Sequence, residues 1–407
     1  MINTGTAAFW RATLALCVGS FTVFANVYIT QPLLPMLAEH FQLTALQSGL
    51  TFTLATLTLG LSLLIYGPLS DVLGRRAIML LTLAGAIACT AALSQVESFA
   101  QLLALRALQG FLLGGLPAIA IAYMGDEFSD KALTSAVGLY IAGNSLGGIG
   151  GRLIGGFAGE QLGWSAAFEV AFIISLAGLL IFALLLPPSR QFKPRPAKPR
   201  QMVAALMTHL ANPLLLAAYL IGGLNFFIFI NQYSYATFML TDAPFNLPTS
   251  LLGMLFLTYL SGTFGSACCG QIASRMPLPA VMACGIVLLM LGSLITLAGS
   301  LTAIISGFLI NAFGFFIAHS SASSWVSQQA TQARASASSL YLVFYYLGAS
   351  SGGLYLAPFW QWAGWNGVIT GSLLVLCLTL ALSGWLYQQQ RKPLQTAGSA
   401  TMPASHP

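Results

Sequence analysis

The sequence predicts an all-α membrane protein with twelve transmembrane helices in two six-helix pseudo-symmetric halves. Three observations carry that expectation. Only 6% of the 407 residues are charged while 57% are hydrophobic, and a soluble domain needs about a quarter of its residues charged to cover its surface. Apolar runs of about twenty residues, the length that crosses a bilayer, recur along the whole chain. A stretch of the first half also returns, without gaps, in the second.

The runs place helices 1 to 6 near 10–30, 46–66, 77–94, 101–123, 133–157 and 164–186, and helices 7 to 12 near 212–238, 250–270, 279–297, 301–323, 336–357 and 364–387. Between the two sets, residues 187–204 hold five basic residues, five prolines and no acid. Proline and like-charge repulsion oppose packing, so an extended connector is expected there. The chain then divides into an N-terminal half (1–186), the connector (187–204), a C-terminal half (205–390) and a small polar tail (391–407) expected to be disordered.

Charge sets the orientation. With the N-terminus in the cytoplasm, thirteen of the fifteen Lys and Arg residues fall on the inner side. The other two, Arg106 and Arg152, lie inside predicted helices, and the outer loops carry Glu39, Glu97, Glu160 and Asp242. Basic loops resist translocation, so both termini are expected in the cytoplasm of a multi-pass protein. The net charge of +6 thereby becomes a topology signal, and no contiguous basic surface points to nucleic acid. The first apolar segment is of full spanning length and carries no convincing cleavage site. All six cysteines (Cys17, Cys89, Cys268, Cys269, Cys284, Cys377) fall within predicted spans and read as packing residues.

Ser135–Trp164 aligns with Ser336–Trp365 at a constant offset of 201, with ten of thirty positions identical, among them Gly163-Trp164 with Gly364-Trp365. Asn26-Val27-Tyr28 has an echo in Asn231-Gln232-Tyr233. Duplication is the mark of carriers in which two halves rock about a site near the bilayer midplane. A membrane enzyme or sensor would need a catalytic constellation or a soluble domain, and the sequence displays neither. Gly143-Asn144-Ser145-Leu146-Gly147 matches the hydrolase pattern G-x-S-x-G, but that pattern works on a strand–turn–helix and here lies in an apolar span. No phosphate loop and no metal-ligand spacing appears, so no cofactor is expected.

Gly67-Pro68-Leu69-Ser70-Asp71-Val72-Leu73-Gly74-Arg75-Arg76 joins predicted helices 2 and 3. Gly67 and Gly74 suit a tight turn and a close approach. Asp71 is an anion at the inner surface that Arg75, Arg76 or a helix N-terminus can hold. The segment resembles the loop signature of the major facilitator superfamily, G-x-L-x-D-x-x-G-R-[RK]. That resemblance implies a transporter in which Asp71 latches the halves in the outward-open state and helices 1, 4, 7 and 10 line the cavity. Leu102-x-x-x-Arg106-x-x-Gln109-Gly110 resembles the helix 4 motif of the same superfamily. On helix 5, Gly143, Gly147, Gly151, Gly155 and Gly159 recur every four residues. Such a ridge lets two membrane helices touch backbone to backbone, and the small residues Ser261, Gly262, Gly265, Ser266, Cys269 and Gly270 on helix 8 are its expected partner. This region resembles the exporter motif G-x-x-x-G-P-x-x-G-G, with Gly148 in place of its proline and Arg152 in place of its last glycine. Gly138–Gly156, Phe315–Trp325 and Ser338–Gly348 resemble bacterial inner-membrane transport proteins of that superfamily.

Polar residues inside spans are the candidate cavity residues: Asn26, Tyr28 and Gln31 from helix 1, Gln109 from helix 4, and Asn231 and Gln232 from helix 7. Ionisable residues within the bilayer are expensive and point to function, here Arg106, Arg152, Glu169 and His319. Arg152 and Glu169 each lie about five residues from the outer ends of consecutive helices, about 8 Å deep at a rise of about 1.5 Å per residue. They are expected to pair, with Arg106 on helix 4 as the alternative partner. The composite expectation is a monomeric, proton-coupled exporter of a small amphipathic or drug-like compound in the bacterial inner membrane. An importer of a small polar metabolite is the alternative.

Overall fold

The computed structural model describes residues 1–192, 199–330 and 334–399. Among them every extended element is a helix, apart from one isolated bridge between Ile2 and Phe128. Helix 1 is Ala7–Tyr28, helix 2 Ala45–Leu73, helix 3 Arg75–Leu93, helix 4 Phe99–Glu127, helix 5 Asp130–Leu162 and helix 6 Trp164–Leu185. Helix 7 is Pro213–Thr241, helix 8 Thr249–Ala273, helix 9 Leu278–Ala298 and helix 10 Leu301–Gln329. The last helical stretch, Arg334–Ser399, leaves helical geometry at Ala363 and Gly364, which separates helix 11 from helix 12.

Ten described helices are long and apolar enough to cross a membrane. The 55-residue stretch Ser336–Gln390 counts once among them although it bends back at Gly364. Helix 5 is outside the ten because its glycines, Asn144 and Arg152 make it less apolar.

Local chemistry explains the helix ends. Thr44 with Gln47 and Ser98 with Gln101 form capping boxes that start helices 2 and 4, each supplying two otherwise orphaned N–H donors with an acceptor. Asn212 accepts from the backbone of Leu214 and Leu215, and Pro213 occupies the first turn of helix 7, where its missing N–H costs nothing. Gly163 and Gly364, the paired positions of the internal repeat, both take positive φ (89° and 55°). A side chain would be strained in either turn.

The turns bring the basic residues flanking the spans to one end of the bundle, called here the basic end; the other is the neutral end. Helix 2 continues through Pro68 to Leu73 and breaks only at Gly74, where φ is 101°. Gly67 therefore forms no turn. Helix Pro199–Ala211 begins inside the connector expected to be extended, and residues 193–198 lie outside the described ones. In the expected disordered tail, the helical path runs on to Ser399, while 400–407 lie outside the described residues.

The glycine ridge packs on helix 1, not on helix 8. A Cβ added at Gly143, Gly147, Gly151 or Gly155 would lie 2.7, 2.4, 2.2 or 2.3 Å from the carbonyl oxygen of Cys17, Phe21, Ala25 or Ile29, and one at Gly159 would meet Leu33 at 2.3 Å. Two four-residue rows thus mesh backbone to backbone. The repeat reproduces the joint: Gly348 meets the Gly223 carbonyl and Gly352 the Phe227 carbonyl, each at 2.1 Å, pairing helix 11 with helix 7. By this match Ala25 corresponds to Phe227, so Asn26 and Asn231 are not structural counterparts. The small residues of helix 8 serve helix 10: Gly262 meets Phe316, Gly265 meets Phe313, and Ser261 donates to Leu309 O (2.7 Å). Helix 8 touches helix 5 elsewhere, with Gly156 against Gly253 and Thr249.

Added volume at such a contact has nowhere to go, and overpacking costs about 1–3 kcal/mol or more. Gly151→Ala should lower folded yield and melting temperature in detergent. Gly138→Ala, where an added Cβ meets nothing within 4 Å, should be neutral or slightly stabilising. Equal behaviour of the two variants in thermal size-exclusion assays would contradict the helix 1–helix 5 joint.

Candidate functional site

Between helices 1–6 and helices 7–12 lies a cavity of about 200 Å³. Its walls come from helices 1, 5, 7, 8, 10 and 11, and helix 4 contributes none of the lining. Aromatic side chains dominate. Phe226 stacks on Tyr345 with ring centroids 3.7 Å apart, and Phe229 on Phe315 at 3.9 Å. Phe24, Tyr28, Tyr259, Phe316 and Tyr346 complete the apolar surface. The polar exceptions include Asn144, Ser145, His319 and Arg152. His319 is oriented by Tyr341, whose hydroxyl lies 2.9 Å from Nδ1, and it packs against Phe315 and Tyr345. No Asp or Glu is among the lining residues.

Among the described residues, the hydrogen bonds between the two sets of helices lie at the neutral end. Gln31 Nε2 donates to Ser234 Oγ (3.0 Å) and Ile230 O (3.5 Å) of helix 7. Arg152 Nη2 donates to the Tyr259 hydroxyl (3.4 Å) of helix 8, and the Ser250 N–H donates to Glu160 Oε2 (2.8 Å). The Ser250 hydroxyl and N–H hold the Glu160 carboxyl, at the exposed tip of helix 5, below its ordinary pKa. That bond is therefore charge-assisted at neutral pH and weakens only as pH falls below the usual carboxylate range. At the opposite end of the lining Leu342 is exposed and Ser145 half-buried, so the cavity is closed at the neutral end and reached from the basic end.

Arg152 is fully buried, yet its expected partner Glu169 is exposed on helix 6. Glu169 shares a helical stripe with the exposed Ile173, Leu176, Leu180 and Leu184 and faces lipid. The two side chains leave their helices in different directions, so they do not pair. Arg152 Nε donates instead to Gln31 Oε1 (2.7 Å) and Nη1 to Gly148 O (2.9 Å), and its guanidinium lies over the rings of Tyr28, Phe256 and Tyr259 at 4.0, 4.3 and 4.6 Å.

Arg106 is also fully buried. Its five N–H donors meet Thr51 O, Asn26 O, Val27 O, Thr30 Oγ1 and Gln109 Oε1. Helix 1 stops at Tyr28 while the chain from Ile29 to Leu34 remains buried, leaving orphan carbonyls. Arg106 supplies donors to two of them, and its charge suits the negative end of the helix dipole. Asn26 and Gln109 belong to the same cluster with Thr90 and Ser175. Gln232 bonds Ser293 and Asn311 inside the C-terminal half, and Asn231 bonds Phe227 O and Ala349 O. Of the six polar residues expected in the cavity, only Tyr28 lines it; Gln31 joins the halves beside it.

At the basic end, Arg75 bridges Asp71 (2.8 Å) and Asp126 (2.7 Å). Arg76 donates to Ala183 O and Leu186 O at the end of helix 6. All these partners lie in the N-terminal half. The residues that sequence reasoning missed are the lining aromatics, above all Phe226, Phe229, Tyr259 and Phe315. Their three- and four-residue spacing on helices 7 and 10 was the available signal.

The fold and cavity are those of a membrane carrier, and comparison places the chain in a family: it belongs to the Major Facilitator Superfamily, whose family profile matches residues 16–353. It is 36% identical over 392 residues to the uncharacterized MFS-type transporter YybF of Bacillus subtilis, covering 96% of this chain and 97% of that one. It is 37% identical over 384 residues to the inner membrane transport protein YnfM of Escherichia coli K12, covering 94% and 91%. Among solved structures it resembles a bacterial homologue of the lysosomal transporter Spinster in an inward-facing, unoccupied conformation, with TM-score 0.70, 17% identity and 94% and 96% coverage. It also resembles the nucleoside transporter NupG, with TM-score 0.73, 14% identity and 93% and 99% coverage. The protein is a multi-pass membrane transporter.

Removing a buried donor leaves each orphaned acceptor at a cost of about 1–3 kcal/mol. Arg106→Leu should abolish or sharply reduce folded yield, and Arg106→Lys, which cannot present the planar fork, should lose most of it. Glu169→Gln should stay within about 0.5 kcal/mol of the parent. Thermal unfolding of purified protein checks both, and a severe Glu169→Gln defect would restore the discarded pairing.

Proposed function

We propose that this chain is a secondary active exporter of a small amphipathic organic compound, working as a monomer in the bacterial inner membrane by exchange with protons. The observation that carries the reading is the aromatic wall around Phe226, Phe229, Phe315 and Tyr345. A surface of that kind suits planar or apolar cargo, with the few polar groups fixing its orientation. The positive-inside rule puts the basic end in the cytoplasm, so the conformation with its wall assembled and its basic end reachable is the one that loads cargo from inside. With no carboxylate in the lining, His319 is the proton-exchanging group, oriented by Tyr341. In this state Asp71 is paired within its own half; its proposed latch to the other half belongs to the outward-open state, in which Gly67, Gly74, Arg75 and Arg76 frame it.

A strain lacking the gene, with and without a plasmid copy, should be profiled against a panel of aromatic amphipathic compounds. Export predicts lower accumulation and higher tolerance when the protein is present. Phe229→Ala should weaken apparent affinity about two- to tenfold, and His319→Gln should remove the dependence on a proton gradient. Higher accumulation with the plasmid would establish import instead.

A further inference from the structure

Arg106 and Arg152 are both fully buried, but they are satisfied differently. Arg106 has an acceptor for each of its five donors, whereas Arg152 uses three, on Gln31, Gly148 and Tyr259. The rest of its environment is the three aromatic faces. Arg152 is also the one Arg or Lys among the lining residues, at the closed end of a cavity with no lining Asp or Glu. A buried cation with spare donors and only neutral partners is a receptor for an anion.

Its present partners have a second role. Gln31, which accepts from Arg152, donates to Ser234 across the interface. Tyr259 and Phe256 sit on helix 8, while Arg152 and Tyr28 sit on helices 5 and 1. The sheath of Arg152 is therefore part of the neutral-end seal.

We infer that Arg152 captures an anionic group, a carboxylate or sulfonate, on the amphipathic cargo, and that this capture loosens the neutral-end seal. The inference rests on the reading of the cavity as the cargo site. A charge-assisted bond is about twice as strong as a neutral one, so a carboxylate displaces the Gln31 amide oxygen and the Tyr259 phenol from the guanidinium. Because Arg152 is 0% exposed, the anion reaches it only by moving the Tyr28 or Tyr259 ring that stands between them. Binding and unsealing are then one event, which is what export requires of a cargo loaded from the basic end.

The test uses the full chain in lipid nanodiscs, its six cysteines replaced and spin labels placed at Gln161→Cys and Asn246→Cys, both exposed at the neutral end. The probes are 1-naphthoate and its uncharged amide, 1-naphthamide, with affinity read by calorimetry and opening by the interlabel distance. Naphthoate should bind about ten- to a hundredfold more tightly than the amide and should alone lengthen the distance. Arg152→Gln should bind the two equally and show no lengthening. Should that variant fail to fold, Gln31→Met provides the test in a chain that keeps its arginine: it frees Nε, so naphthoate should bind more tightly and the longer distance should appear without ligand. Equal affinity of the two probes for the parent chain, or a Gln31→Met chain unchanged in affinity and distance, would overturn the inference and leave the aromatic-cargo reading standing. If neither probe binds, both fall.

Discussion

A guanidinium held inside an apolar bundle must find acceptors for its charge and its five donors, and in this protein neither buried arginine has a carboxylate to do it. Both are held around the end of helix 1, Arg106 through all five donors and Arg152 through three. That helix stops at Tyr28 although the chain stays buried for six more residues, so carbonyls that would otherwise need water are left for side chains. Arg106 takes two of them from one side. Arg152 takes Gln31 just beyond, from the other. Neutral carbonyls at a helix C-terminus and aromatic faces are weak partners singly, but several together offset desolvation without creating a second charge to bury.

The glycine ridge is what brings Arg152 to this place. Because helix 5 lies against four successive carbonyls of the helix 1 segment, from Cys17 to Ile29, a side chain one residue from Gly151 emerges beside Tyr28 and Gln31. The same register leaves Gly156 free to meet helix 8. One helix thus has two different small-residue contacts. The contact with helix 1 is long, meshed and within one half. The contact with helix 8 is short and crosses between halves, the kind of joint that can part when the halves rock. The glycine joint between helices 7 and 11 repeats the first of these in the second half.

Much of the fold was legible in the sequence because the bilayer dictates it. Span length and the placement of basic residues brought most predicted helix ends within a few residues of the observed ones, and Gly163 with Gly364 marked equivalent turns. Partner choice was less legible. Spacing every four residues says that backbones touch, but the small residues of helix 8 pointed to the wrong partner, because the glycines alone give the clearance that lets helix 1 approach at Cys17, Phe21, Ala25 and Ile29. Polarity misled at the site, because Asn26, Gln109 and Gln232 are satisfied by neighbouring polar side chains inside their own halves. The surface available to cargo is instead aromatic, a residue class that a search for polar groups in spans passes over. Glu169 was misread for a different reason: its depth was considered without its stripe, although Ile173, Leu176, Leu180 and Leu184 at helical spacing already marked that face as lipid-exposed.

The central claim is that the seal around Gln31, Arg152 and Glu160 leaves the cavity reachable from the basic end alone. Ser145, a half-buried lining residue of helix 5 on the basic-end side of the cavity, reports on it directly. A Ser145→Cys chain without its native cysteines should be treated with a membrane-impermeant maleimide in everted and in right-side-out vesicles. Rapid labelling in everted vesicles with protection in right-side-out ones is the predicted result. Faster labelling in right-side-out vesicles would contradict both the seal and the orientation.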